Sequence, residues 1–292
     1  MSDADSGLEL SVILPTLNES AGLGELLDRL AAVLEGKNHE ILIIDDGSSD
    51  DSASIGREHG ARVIRHPYSK GNGAAVKRGI REARGKAVLL MDADGQHPPE
   101  EIPRLLSALA DCDMAVGARA RGSAQKVHRW AANRFFSMLA SYLAGERIPD
   151  LTSGFRVIRA EIAKRYVDLL PNTFSYPSTL SVTLARAGYT ITHVPIVAER
   201  SRSGSKIKPS SDGLRFIVIL LKIGVGLTPF RVFLPLSLIL FLLGMGWYAY
   251  TLATVHRFTN MSLLLLCTSV IIFMLGLVAE QIAQLRRERR DE

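Results

Sequence analysis

The sequence predicts an α/β fold, a mostly parallel sheet with helices on both faces, followed by a C-terminal hairpin of two transmembrane helices. Three observations carry this. Short aliphatic and β-branched runs alternate with helical patterns along the first 120 residues. These runs are nearly all apolar, which implies burial on both faces and therefore a parallel sheet covered by helices. Toward the other end, Val232–Val255 and Met261–Ala279 contain no formally charged residue. Each is close to the ~20 residues a helix needs to cross hydrocarbon.

The strand candidates, in order, are "LELSVILP", "EILIIDD", "ARVIRH", "KAVLLMD" and "DMAVGAR", all bounded by turn residues. Between them, "LGELLDRLAAVLEG" sets leucines at three- and four-residue spacing before a glycine stop, and "GAAVKRGIREARG" repeats the pattern with a weaker apolar face. "PPEEIPRLLSALA" opens with prolines suited to a first helical turn. Ligands of such sheets collect beyond the carboxyl ends of the strands. Three polar clusters stand there: "PTLNE" at 15–19, "DDGSSD" at 45–50 and "DADGQ" at 92–96. The serine-, glycine- and cation-rich "ERSRSGSKIKPSSDG" reads as a linker, and no internal repeat is present. The expected organisation is a sheet domain over 1–210, a juxtamembrane amphipathic helix over 211–228, and a membrane part over 229–292 with spans at about 231–255 and 261–283.

The start "MSDADSG" is acidic and has no apolar run of the kind that opens a secretory signal, so the sheet domain is expected in the cytoplasm. The tail "RRERR" and Lys206, Lys208, Arg215, Lys222 and Arg231 flank the hairpin, as cations do on the cytoplasmic side. The expected location is therefore the inner membrane, multi-pass, with both termini cytoplasmic. "DGLRFIVILLKIGVGL", residues 212–227, suits either the membrane interface or a linker helix packed on the spans. A net charge of +5 raises nucleic acid as a partner, but no groove-reading motif occurs and the cations flank membrane segments, so anionic lipid is the better match. The two cysteines, Cys112 and Cys267, supply neither a disulfide framework nor a cysteine metal site.

Asp92 and Asp94 fall on one side of an extended backbone, because strand side chains alternate with period two, and Gln96 continues the series. Hard carboxylate oxygens so placed suit Mg²⁺ or Mn²⁺, which complete their shells with water and substrate phosphates. The plain structural alternative is a loop whose aspartates cap the next turn. Asp45 and Asp46, expected to end an adjacent strand, favour the ligand reading, since clustered carboxylates repel unless a cation or hydroxyl-rich ligand is shared. "SKGNGAAVKRG" superficially matches a dinucleotide fingerprint, but its third glycine is Val76 and it does not end the first strand. Its glycines are expected to make a tight turn before a helix, with Lys70 and the helix N-terminus facing an anion. His97, followed by Pro98, reads as a loop residue.

With "PTLNE", "DDGSSD", "KGNGAA" and "MDADGQHPPE" in this order, then "VGAR" at 116–119, "DLTSGFR" at 150–156 and "ERSRSGSK" at 199–206, the chain resembles the family 2 glycosyltransferases of GT-A, Rossmann-like fold. More narrowly it is similar to the polyprenyl-phosphate glycosyltransferases, the dolichol-phosphate mannose synthase group, over roughly residues 8–210. The resemblance implies that Pro15, Glu19, Ile44 and Asp46 hold the base and ribose of a sugar nucleotide. It implies that Asp92 and Ala93 bind the donor, that Asp94 and Gln96 hold the metal, and that Arg119, Arg129, Arg200 and Lys206 surround the acceptor phosphate and the diphosphate, with Asp92, Asp94, Arg119 and Arg129 the catalytic set. Two positions depart from the pattern. Asn133 replaces a frequent serine, and in Arg200-Ser-Arg-Ser203-Gly204-Ser205-Lys206 the glycine is displaced by one.

The activity implied by the resemblance is an inverting transfer of a hexose from a nucleotide sugar, of GDP-mannose or UDP-glucose type, to a polyprenyl phosphate. A phosphate monoester, with a second pKa near ~6, is ionised at neutral pH and needs no strong base. The helix "RWAANRFFSMLASYLAG" offers Phe135, Phe136, Leu139 and Leu143 as an apolar face beside Arg129, either buried on the sheet or seating an isoprenoid head. Rival readings are a processive polysaccharide synthase, against which stand two spans and no Q-x-x-R-W motif, and an inactive membrane scaffold, against which stand intact Asp92, Asp94 and Gln96. The sugar, the nucleotide, undecaprenyl versus dolichyl acceptor, and a possible homo-oligomer stay open at this point.

Overall fold

The structure, a computed structural model, describes residues 7–119, 127–173, 175–197, 218, 221–222, 224–226 and 228–291, with backbone alone at 127–133, 135–136 and 286–291. The chain divides into two compact units, Met1–Gly213 and Leu214–Glu292.

In the first unit the elements run β1 (Leu10–Thr16), α1 (Ser20–Val33), β2 (His39–Asp45), α2 (Ser52–Glu58), β3 (Arg62–Arg65), α3 (Asn72–Glu82), β4 (Ala87–Leu90), α4 (Ile102–Ala108) and β5 (Met114–Arg119). They continue with α5 (Val127–Ala144), β6 (Arg156–Arg159), α6 (Ala160–Tyr166), α7 (Tyr176–Arg186) and β7 (Ile191–Ile196). The sheet order is β3-β2-β1-β4-β6-β5-β7. All pairings are parallel except those of β6, which lies antiparallel between β4 and β5.

All five expected strands are present. Two further strands were not anticipated: β6 is only four residues long with arginine at each end, and β7 is an edge strand carrying Pro195, tolerated where no ladder partner lies beyond. The apolar character of the central strands has the expected cause. Along β1, Leu10, Val12 and Leu14 pack with α1 and α4 residues on one face, while Ile13 packs with Ala75, Val76 and Ile80 of α3 on the other. One expectation is corrected: β2, which ends in Asp45, is not adjacent to β4, because β1 lies between them. The C-terminal ends of β1, β2 and β4 still share one edge, which is where the polar clusters collect.

The second unit is a helical hairpin, α8 (Pro229–Val255) and α9 (Asn260–Asp291), turned by His256 in the left-handed region at φ 52°. Both helices are long and apolar enough to cross a membrane. Seven-residue spacing brings Ser237, Gly244 and Thr251 of α8 and Ser262, Ser269, Gly276 and Ala283 of α9 into buried positions. Small residues let apolar helices approach closely where lipid offers no hydrophobic drive for association. A Cβ at Gly276 would stand 2.7 Å from Phe233 Cβ. Glu280 Oε2 accepts the Phe230 N–H at 3.1 Å, satisfying an amide at the start of α8. The expected linker and most of 211–228 lie outside the described residues.

Candidate active site

Pro15 and Ile44 are register partners across β1 and β2, so the two expected contacts sit side by side at the sheet edge. The Ile44 side chain is fully buried in the core beneath and offers the edge only its backbone. Asp45, also buried, accepts the Ser48 N–H at 2.7 Å and lies 3.2 Å from Arg65 Nε.

Asp46 is an organiser of the next loop. Its Oδ1 accepts from His66 Nδ1 at 2.7 Å and from the Lys70 N–H at 2.9 Å, and its Oδ2 accepts from Ser69 Oγ and the Gly71 N–H, both at 2.8 Å. Burial alone would raise the Asp46 carboxyl, but the hydrogen bonds from His66, Lys70, Ser69 and Gly71 together hold it below its ordinary 3.8. The amides of Lys70 and Gly71, just before α3, are therefore engaged by the protein's own carboxylate. The Lys70 ammonium lies over the Tyr68 ring, 5.5 Å from its centroid. The glycines of "KGNGAA" also have a packing role that spacing could not reveal. A Cβ at Gly73 would stand 2.1 Å from the Pro171 carbonyl oxygen and 2.6 Å from that of Thr173, and Gly71 has φ 103°. Ala74 N–H donates to Asn172 O at 3.2 Å, so the 171–173 segment is laid directly on the start of α3.

After β4 the chain does not stay extended, which corrects the expectation for Asp92, Asp94 and Gln96. It turns: Gly95 takes φ 75° and Asp94 Oδ1 accepts the Gln96 N–H at 3.1 Å. The turn still brings the two carboxyls together. Burial, then the charge of Asp92, raises Asp94 above its ordinary value. Burial also raises Asp92, opposed by Asn72, whose Nδ2 lies 3.5 Å from Asp92 Oδ1, and by the charges of Arg156 and Arg119. Glu19, Ala93 and Asp94, expected at the base and ribose, the donor and the metal respectively, line one cavity of about 110 Å³ with Asn18, Glu25 and Arg29. His97 is buried and stacks on Phe155 at 5.2 Å; burial pushes it down to about 4, so it is a neutral packed ring at pH 7.

Arg119, at the end of β5, is bound by Asp150: Nε donates to Oδ2 at 2.8 Å and an Nη to Oδ1 at 3.1 Å, with Thr152 Oγ1 accepting a further bond at 2.5 Å. Burial would raise Asp150, but the hydrogen bonds and charge of Arg119 hold it down at about 2. Beneath this edge Arg156 is fully buried, and among the described residues it has no carboxylate ion-pair partner. Its Nη groups donate to Pro177 O at 2.9 Å, Ser181 Oγ at 3.2 Å and Ser153 O, which staples the turn before β6 to the first turn of α7. Asp150 and Arg156 sit within "DLTSGFR", and a cation in an otherwise apolar run was the available signal for the second. Of the remaining expected residues, the side chains of Arg129 and Asn133, and Arg200 and Lys206 entirely, lie outside the described residues. Within α5, Leu143 is buried, whereas Met138 and Tyr142 are exposed; the side chains of Phe135 and Phe136 lie outside the described residues.

A family model described as glycosyl transferase family 2 matches residues 11–167, more than half of the chain. The chain belongs to glycosyl transferase family 2. A second model, described as GtrB C-terminal hairpin, matches residues 228–285 of this family 2 chain. It is 35% identical over 232 residues to a dolichol-phosphate mannosyltransferase of Pyrococcus furiosus, covering 74% of this chain and 64% of that one. It is 33% identical over 192 residues to an undecaprenyl-phosphate 4-deoxy-4-formamido-L-arabinose transferase of Edwardsiella ictaluri, covering 60% and 59%. A dolichyl-phosphate hexose transferase of Haloferax volcanii is 30% identical over 208 residues, 70% of this chain and 89% of the relative. The chain thus spans 64% and 59% of the length of the Pyrococcus and Edwardsiella proteins. In fold it matches glucosyl-3-phosphoglycerate synthase from Mycobacterium tuberculosis, crystallised with Mn²⁺, uridine diphosphate and glucosyl-3-phosphoglycerate, at TM-score 0.60 and 23% identity over 75% of this chain and 81% of that one.

Proposed function

We propose that this family 2 chain moves a hexose from a nucleotide sugar to a polyprenyl phosphate at a membrane, inverting the anomeric centre. The observation that carries the reading is the Asp92–Gln96 turn at the strand edge, opening on the cavity that Glu19, Ala93 and Asp94 line together. Relatives named for transfer to dolichyl and undecaprenyl phosphates, and two helices of membrane-crossing length, support the acceptor.

A divalent cation fits the turn. Burial raises the carboxyl of Asp92, and burial and then the charge of Asp92 raise that of Asp94, so positive charge beside the turn would relieve both. Asp94 and Gln96 would hold it; their hard oxygens suit Mg²⁺ or Mn²⁺. Among the described residues no three His, Cys, Asp or Glu converge, as expected for an ion that shares its shell with a substrate diphosphate. When bound, such an ion neutralises charge on a departing diphosphate.

The chain's own residues do the rest. Pro15, Glu19, the Ile44 backbone and the loop organised by Asp46 form the nucleoside side of the site, with Lys70 beside them, and Asp92 and Ala93 meet the donor. A lipid phosphate oxygen attacks the anomeric carbon as the bond to the diphosphate breaks and its electron pair leaves with the diphosphate. Arg119, Arg129, Asn133, Arg200 and Lys206 serve the phosphates, and Asp150 aims the Arg119 fork. No base is needed for an acceptor already ionised at neutral pH, in keeping with His97 being sealed against Phe155. In this reading residues 1–210 are the cytoplasmic catalytic domain, 211–228 the juxtamembrane helix and 229–292 a multi-pass inner-membrane anchor.

The test is the product of the detergent-solubilised chain supplied with UDP-glucose or GDP-mannose and undecaprenyl phosphate. An inverted glycosyl phospholipid is expected, lost with Asp94→Asn. A product retaining the donor's anomeric configuration, or full activity of the variant, would refute the direct displacement or the role of the turn.

A further inference from the structure

Asp92 is loosely held for a residue at the centre of a site. Among the described residues its carboxylate receives only the 3.5 Å contact from Asn72 Nδ2, at the long limit for a hydrogen bond, and that contact is on Oδ1. Its other oxygen, Oδ2, faces Gly154. A Cβ at Gly154 would lie 2.6 Å from Asp92 Oδ2 and 3.2 Å from Tyr176 Oη, so the carboxylate and the phenol both lie against the bare side of a glycine. Tyr176, the first residue of α7, is 1% exposed, and its hydroxyl is buried with no hydrogen-bond partner among the described residues. Such a group costs the free fold stability, and a role elsewhere in the working cycle would account for its presence.

The two sides of this gap differ in mobility. Tyr176 is fixed, because Arg156 ties Pro177 O and Ser181 Oγ of α7 to Ser153 O at the turn before β6. Asp92 lies on the irregular segment after β4, and the one hydrogen bond to its carboxylate among the described residues is the slack Asn72 contact. A small rotation of the Asp92 side chain toward Gly154 is therefore the motion that closes the gap. We propose that Tyr176 is a positioning residue for Asp92: with nucleotide sugar bound, its hydroxyl donates to Asp92 Oδ2 and fixes the carboxylate against the donor, a bond the free protein does not make. This rests on the reading of Asp92 as a donor-binding residue. A hydrogen bond present only in the loaded state contributes to donor binding without stabilising the free fold. It also accounts for glycine at position 154, since a methyl group there would stand 2.6 Å from Asp92 Oδ2 and crowd the carboxylate.

The test uses the full chain in detergent, with calorimetric binding of UDP-glucose and GDP-mannose, thermal unfolding, and KM for donor and for undecaprenyl phosphate. Tyr176→Phe removes only the hydroxyl. It is expected to leave the unfolding temperature equal or higher, to weaken donor binding and raise donor KM about 10- to 100-fold, the worth of one hydrogen bond to a charged group, and to leave acceptor KM unchanged. Gly154→Ala, whose φ lies outside the left-handed region, is expected to reproduce the donor-specific loss. Wild-type donor affinity in Tyr176→Phe would overturn the proposal. So would a lower unfolding temperature with donor and acceptor parameters falling together, the mark of a merely structural tyrosine. Wild-type protein that binds a nucleotide sugar but does not glycosylate the lipid would sink the acceptor reading alone, leaving the affinity comparison to decide Tyr176; binding of neither nucleotide sugar would sink both.

Discussion

Replacing Asp150 by asparagine removes one charge and almost no volume, so its effect measures what the carboxylate does for Arg119. In the fold Asp150 titrates at about 2 against an ordinary 3.8, the Arg119 fork and the Arg119 and Thr152 amides outweighing its burial. At 1.36 kcal/mol per pKa unit this depression corresponds to about 2.5 kcal/mol of stability. Because the folded pKa is lowered, the contribution is complete above the unfolded value of 3.8 and drains away as pH falls through 2. At pH 3 about half of it is left. Asp150→Asn is expected to lower the unfolding free energy of the full chain in detergent by about 2–3 kcal/mol at pH 7, or about 5–10 °C in Tm for a unit of this size. The gap to wild type should narrow steadily when urea unfolding is repeated at pH 5, 4 and 3. A gap that is absent at pH 7, or of the same size at pH 7 and pH 3, would refute the claim that the carboxylate charge is held by Arg119.

Three other variants probe the same geometry. Gly73→Ala forces a methyl to 2.1 Å from a backbone carbonyl that no side-chain rotation can clear, so it should destabilise by about 1–3 kcal/mol despite the usual helix gain of alanine, read as a lower denaturation midpoint. Asp46→Ala frees His66 and three donors of the Ser69–Gly71 loop and is expected to raise donor KM at least about 10-fold while acceptor KM stays within about twofold, measured by steady-state kinetics. Gly276→Leu should separate α8 from α9 at Phe233 and shorten the thermal lifetime of the detergent-solubilised protein, whereas Leu275→Ala, on an exposed face, should not.

Much of the fold is legible in sequence because buried parallel strands cannot hide: β4 is apolar throughout, β1 and β2 carry apolar cores from Val12 to Pro15 and from Ile41 to Ile44, and the acidic clusters stand just where the strands end. The hairpin is legible for the equally simple reason that charges are expensive in hydrocarbon. What escapes depends on contacts between segments distant in the chain. Strand β6 is four residues long and fits between β4 and β5 only because α5 carries the chain away and back. The extended course expected for Asp92 to Gln96 fails because Gly95 and the Asp94 side chain make a turn more stable than continued strand. Asp46 stands where a ligand contact is expected, yet its four lone-pair positions are taken by a loop 20 residues on, a pairing no local pattern encodes. Tyr176 carries no sequence signal at all; its meaning comes from Gly154 and Asp92 arriving at the same place.

Transfer to a lipid phosphate is the central claim. The decisive measurement is the movement of label from UDP- and GDP-hexoses to undecaprenyl phosphate by the purified full chain in detergent, with Mg²⁺ or Mn²⁺ and then with EDTA. One labelled, chelator-sensitive glycolipid from one of the sugar nucleotides is predicted. Release of free sugar alone, a polymer formed without lipid, or no product across the panel would contradict it.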